Sequence, residues 1–167
     1  MSYLNMSEEK LIPVVVELNT LLADYNVYYQ KMRNFHWNVL GENFFDLHIK
    51  FEELYTDART KIDEIAERIL TLRYHPMSKM SDYLEASAVK EVSPLKTDKA
   101  MVKEILNDHK IILAQMSKVI EKAGSAKDEG TIDLIGAYIR ELEKSSWMLN
   151  AWSKKSSDHL KSTIIES

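Results

Sequence analysis

The sequence predicts an all-α fold, a four-helix bundle with one long crossover between its second and third helices. Three observations lead there. Four Gly and three Pro in 167 residues leave few places where a helix must stop. Apolar residues recur at alternating spacings of three and four in four separate segments, the period of a helix buried along one face. That rhythm lapses for long only between Tyr74 and Thr97, a stretch that can lay the two flanking helices parallel instead of folding them into a hairpin.

Ser7, with Glu9 and Lys10 behind it, opens the first helix, and Pro13 is tolerable only in its first turn. Leu11, Val14, Leu18, Leu21, Tyr25, Tyr28, Met32 and Phe35 then hold the a and d positions of unbroken heptads. A neighbouring row of Val15, Leu22, Tyr29 and His36 puts that histidine on the edge of the buried stripe. The helix is expected to end near Val39–Gly41, with Gly41 as the left-handed stop. A second helix runs from about Asn43 to Leu72. Its seam is Phe44, Leu47, His48, Phe51, Tyr55, Ala58, Ile62, Ile65, Ile69 and Leu72, and His48 lies within it.

Pro76 and Pro94 punctuate the crossover, and residues 81–85 suit one short helix in its middle. Thr97 or Asp98 caps the third helix, whose apolar face includes Val102, Ile105, Ile112, Met116 and Val119, and Gly124 is expected to close it. A polar link (SAKDEG) leads to a fourth helix carrying Ile132, Ile135, Tyr138, Ile139, Leu142, Trp147, Leu149 and Trp152. The chain reads as one domain over 1–167, with short flexible tails at 1–7 and 154–167.

Composition excludes several classes. With no cysteine, disulfides, iron–sulfur clusters and thiol catalysis are impossible. Twenty-two basic against 26 acidic residues, a net charge of −4, argue against a nucleic-acid footprint. No apolar run approaches a membrane span, and the opening MSYLNMSEEK lacks the basic-then-apolar order of a signal peptide. A cytoplasmic location is the expectation.

Chemistry concentrates in residues 34–67. His36 and His48 flank a turn marked by Asn38, Gly41 and Asn43. Glu52 follows His48 by four residues, and Asp63 and Glu67 form a second pair four apart. Residues at i and i+4 share a helix face, so each pair presents two ligand groups in one direction. Imidazole with carboxylate and no thiolate suits iron, manganese or zinc. Taken singly, a histidine in an apolar seam is ordinarily a hydrogen-bonded core residue and a carboxylate beside it a solvated flank. Trp37 is most simply core, and His109, without an acidic partner at i±4, reads as structural. The crowding of two histidines and three carboxylates on one hairpin is what favours a metal.

Geometry adds a condition. Fifteen residues of straight helix put His48 and Asp63 about 22 Å apart at about 1.5 Å per residue. Either the two clusters are unrelated, or a second subunit brings its Asp63 and Glu67 to the histidines across a two-fold axis. A di-iron core inside the bundle would need a Glu-x-x-His motif on each of two helices, and the sequence contains none.

The run FHWNVLGENFFDLHIKFEELY, followed by DEIAERI, resembles the signature of Dps proteins, the miniferritins of bacteria. The likeness extends over the whole chain, through the short helix in the crossover to the closing KSSWMLNAW segment. It implies a ferritin-like bundle assembled into a hollow dodecamer that oxidises Fe(II), preferably with hydrogen peroxide, and stores the ferric product, protecting against oxidative stress. Ferroxidase ligands then fall on His36 and His48 of one subunit and on Asp63 and Glu67 of its two-fold mate. A further carboxylate, commonly Asp in the family, falls on Glu52, and Trp37 matches the aromatic beside the site.

Similar acidic positions in the family put Asp128, Glu129 and Asp133 at an iron-entry pore on a three-fold axis, although carboxylates at a helix N-terminus are also expected from capping and the helix dipole. DNA binding in such proteins ordinarily uses a lysine-rich tail. Here the first ten residues hold one Lys and two Glu, and Lys154, Lys155 and Lys161 make the C-terminal segment only mildly basic, so DNA binding is not expected. The competing readings are a nucleoid-associated structural protein with little catalysis and a bare helical scaffold.

Overall fold

A computed structural model describes residues 3–94 and 97–154. These form α1 (Glu8–Asn38), α2 (Phe44–Thr71), α3 (Met80–Ala86), α4 (Asp98–Ala126) and α5 (Glu129–Trp152), with no strand among the described residues. The short helix falls inside the crossover, as the sequence predicts. α1 is the organising element. It packs on α2, α4 and α3, while α5 packs on α4. Both of its apolar rows are therefore used: Leu11, Val14, Leu18, Leu21, Leu22, Tyr25, Tyr28, Met32 and Phe35 are all buried.

Four local expectations are corrected. Pro13 lies in the second turn of α1, because the helix already begins at Glu8; on an exposed face, its missing N–H costs one backbone bond that water can replace. Gly124 does not close α4. Ala123 and Ala126 continue the buried face past it, and the left-handed residue is Lys127, at φ 58°. Its N–H and that of Asp128 close back on Gly124 and Ala123, which cuts the expected six-residue link to Lys127 and Asp128. In α2 the seam turns by one residue in its middle: Leu54 and Lys61 are buried beside Phe51, Ala58 and Ile65, where Tyr55 and Ile62, expected in the seam, are half-buried. Lys61 buries its stem and holds its ammonium between Asp57 (2.6 Å) and Glu141 of α5 (2.9 Å). Trp147 faces outward, 61% exposed, because the face of α5 turned to the core is set by Ile135, Tyr138, Leu142 and Leu149.

Gly41 does adopt a left-handed φ of 104°, but three residues beyond the last helical residue, inside the turn. The helix itself ends on an extended Val39 whose N–H bonds to Phe35 O. Asn43 fastens the turn through a 2.7 Å hydrogen bond to Asp98 at the start of α4.

The interior is not wholly apolar. Lys31 of α1 lies 2.8 Å from Asp108 of α4, both buried, with Glu104 at 3.4 Å. Tyr28 Oη meets His109 Nε2 at 2.8 Å, and His109 Nδ1 meets Ser146 of α5, also at 2.8 Å. Asp24 accepts from Ser87 Oγ and Ala88 N–H, pinning the far side of α3 to α1. No helix among the described residues is long and apolar enough to cross a membrane. Of the expected tails, Tyr3 is tied by its hydroxyl to Thr71 O, and residues 155–167 lie outside the described residues.

Candidate metal centre

His36 sits in the last turn of α1 and His48 in the second turn of α2, so the tight connection brings them together. Their rings stack at 3.7 Å, 20° from parallel. Each Nδ1 faces the other's main-chain carbonyl, His36 Nδ1 to His48 O at 2.7 Å and His48 Nδ1 to His36 O at 2.8 Å. A carbonyl only accepts, so each Nδ1 carries the proton and each Nε2 keeps an open lone pair. This is the orientation a metal-binding imidazole needs. His36 is buried apart from 8% of its surface, and His48 is half-buried.

Other rings frame the pair. Phe44 stacks on His48 at 4.9 Å, and Tyr55 stands edge-on to His36 at 5.3 Å. Glu52, one turn beyond His48, is exposed. Burial first, then the Glu52 carboxylate beside it, push the Tyr55 phenol above its ordinary value. Trp37 points outward, 56% exposed, with the Arg33 guanidinium 4.8 Å from its ring centre and 5.3 Å from that of Tyr29. The expectation of Trp37 as core is thereby corrected; it is a surface aromatic next to His36.

Asp63 and Glu67 are exposed on α2, which runs unbroken from Phe44 to Thr71 and so keeps them away from the histidines of the same chain. Among the described residues, no three His, Asp or Glu side chains converge closely enough to hold a metal ion. Of the five predicted ligands, one subunit thus brings together two imidazoles, with Glu52 one turn beyond His48, and holds Asp63 and Glu67 apart from them.

The acidic residues at the start of α5 divide in two. Asp128 is buried. It accepts from Arg68 Nη2 at 2.5 Å and from the N–H and hydroxyl of Thr131 at 3.0 and 2.6 Å, capping the helix. Its carboxylate is thus taken within its own subunit, while Glu129 and Asp133 remain exposed. Arg68 lies so close over the first turn of α5 that a Cβ on Gly130 would come within 2.9 Å of its guanidinium. Sequence reading missed Arg68, although the Asp-x-x-Thr spacing that captures it is a legible capping signal.

Residues 15–157 match the ferritin-like domain family, so the bundle is of the ferritin class. The chain is 45% identical over 139 residues to DNA protection during starvation protein 2 of Bacillus anthracis, covering 83% of this chain and 95% of that one. It is 42% identical over 150 residues to the DNA protection during starvation protein of Porphyromonas gingivalis, covering 90% and 94%. The crystal structure of the Dps protein from Vibrio cholerae, described as a member of a broad superfamily of ferritin-like diiron-carboxylate proteins, superposes with a TM-score of 0.89 at 44% identity, covering 92% of this chain and 97% of that one. The chain belongs to the Dps family of ferritin-like miniferritins.

Proposed function

We propose that this protein is a ferroxidase and iron store that removes Fe(II) and hydrogen peroxide together in the bacterial cytoplasm. The observation that carries the reading is the stacked His36/His48 pair, with both Nδ1 protons spent on main-chain carbonyls and both Nε2 lone pairs open. Glu52 of the same subunit, with Asp63 and Glu67 of a two-fold mate, completes the ligand set, and Trp37 stands beside it. Two Fe(II) ions bound together give up one electron each. Peroxide accepts both as its O–O bond breaks, leaving its oxygens at the level of hydroxide and no radical. Carboxylates favour the ferric product, which is stored inside a hollow dodecamer. Iron is the substrate; zinc and manganese fit the same ligand types and act as competitors.

The names of the relatives speak of DNA protection. For this chain we infer protection by removal of iron and peroxide instead of by coating DNA, because its charge balance is −4. Iron enters past Glu129 and Asp133; Asp128, buried and paired, does not line the path.

The intersubunit site is tested by complementation. A His36→Gly/His48→Gly variant and an Asp63→Asn/Glu67→Gln variant should each lose rapid oxidation. Co-assembled in equal amounts, a two-fold pair with one copy of each keeps one intact site, so random mixing restores about a quarter of the parent sites. No recovery in demonstrably mixed oligomers would show that the four residues do not meet across an interface.

A further inference from the structure

The reciprocal hydrogen bonds place a proton on Nδ1 of His36 and of His48, but a ring held at one nitrogen can still pivot about that bond. What stops the pivot is contact on the ring faces. His48 has His36 on one face at 3.7 Å and Phe44 on the other at 4.9 Å, with both neighbours 20° from parallel to it. Any rotation of the middle ring drives an edge into one of them. His36 is held differently, by His48 on one face and the edge of Tyr55 at 85°.

Phe44 is the first residue of α2 and only half-buried. Its neighbour Phe45 is 77% exposed, and Phe44 packs against the rim of the apolar core as well as on His48. A flat ring, as distinct from any apolar side chain, is what its geometry against His48 uses.

We propose that Phe44 is a positioning residue for the metal centre: its ring clamps the His48 imidazole against His36 and thereby aims the His48 Nε2 lone pair. The inference rests on the reading of His36 and His48 as ligands only for its consequence in metal binding; the clamp itself is a property of the metal-free protein. Leucine keeps apolar bulk at this position but offers no flat face, whereas tyrosine keeps the face.

The test has a metal-free arm and a metal arm. In crystals of the metal-free Phe44→Leu oligomer, the His48 ring should be rotated or split between orientations, while Phe44→Tyr should keep the parent orientation. A Leu47→Ala variant, which loosens the core beside it without touching that ring stack, should leave His48 in place. Titration with Co(II), a visible stand-in for Fe(II), should show binding weakened about tenfold in Phe44→Leu, with altered ligand-field bands, and restored in Phe44→Tyr. An unchanged His48 ring and an unchanged cobalt spectrum in Phe44→Leu would overturn the proposal. If Co(II) binds the His36→Gly/His48→Gly variant as tightly as the parent, the ligand reading fails, and the clamp still stands or falls on the crystal structures.

Discussion

Two kinds of histidine occupy the apolar seams of this bundle. His109 is fully buried and has both ring nitrogens engaged, one by Tyr28 and one by Ser146. His36 and His48 engage only Nδ1 and leave Nε2 open at the edge of the fold. All three fall on the same helical periodicity. What separates a core histidine from a candidate ligand is the count of its hydrogen-bond partners, since a ring with both nitrogens used has nothing left to offer a metal.

Substitution should break the two kinds in opposite ways. His36→Gly/His48→Gly is expected to slow peroxide-driven Fe(II) oxidation by about a hundredfold or more while assembly persists, because open lone pairs are lost from the surface of the fold. His109→Leu should leave oxidation by the assembled protein intact but cost about 1–3 kcal/mol of stability, because the buried Tyr28 hydroxyl loses its acceptor, whereas Ser146 keeps its bond to Leu142 O. Stopped-flow oxidation and denaturant unfolding on both variants read the contrast. Equal losses in the same assay would erase the distinction.

The interior histidine and its sequence neighbour Asp108 respond to pH in opposite directions. Burial chiefly, and the Lys61 charge next, lower His109 from 6.5 to about 3. The unfolded chain gains that proton near 6.5 and the native protein does not, so this contribution is whole above 6.5 and drains as pH falls toward 3. Burial raises Asp108 from 3.8 to about 6, although the Lys31 ammonium opposes the shift. Its contribution is whole below 3.8 and is lost as pH rises through 6. Between pH 6 and 4 the two slopes oppose each other, each about 1.4 kcal/mol per pH unit. Acidification over that window should therefore stabilise His109→Gln relative to the parent and destabilise Asp108→Asn relative to it, as read by unfolding midpoints at several pH values.

The same logic of spent and open groups applies at the start of α5. Glu129→Gln with Asp133→Asn should slow iron uptake by about tenfold at low ionic strength, with the deficit shrinking at high Fe(II) or high salt. Asp128→Asn should lower thermal stability with little change in uptake, since its carboxylate serves Arg68 and Thr131. Uptake kinetics that track Asp128 instead would reverse this assignment. At the null end, plasmid DNA should not be retarded in a gel at near-neutral pH and physiological salt. Salt-sensitive retardation would implicate the lysines from Lys154 onward.

Helix count, order and the crossover helix were legible because they follow from apolar spacing alone. So were His36, His48 and the distance separating them from Asp63 and Glu67, which is arithmetic on a straight helix. Less legible was anything set by a partner far along the chain. Nothing in the sequence marks Lys61 and Asp108 as buried until Glu141 and Lys31 are placed beside them, and Asp128 reads as a cap or a pore residue alike until Arg68, 60 residues earlier, reaches it. Trp37 and Trp147 were assigned to the core by type, yet the face each helix turns inward is decided by its neighbours. The Nδ1 bonds of the two histidines were invisible because their acceptors are main-chain atoms, which carry no residue type.

The buried polar pairs share one further property: Tyr28–His109 and Lys31–Asp108 both join α1 to α4, so they bridge the hairpin of α1 and α2 and the hairpin of α4 and α5. Apolar seams alone discriminate poorly between alignments, since sliding one hairpin along the other by a helical turn, about 5.4 Å, sets leucine and isoleucine against much the same neighbours. The slid arrangement would strand an ammonium, a carboxylate and an imidazole in a dry interior without their partners. The chain thus carries its own alignment marks, and because His36 and His48 depend on where α1 meets α2 and α4, an error of one turn would be rejected before any metal was bound.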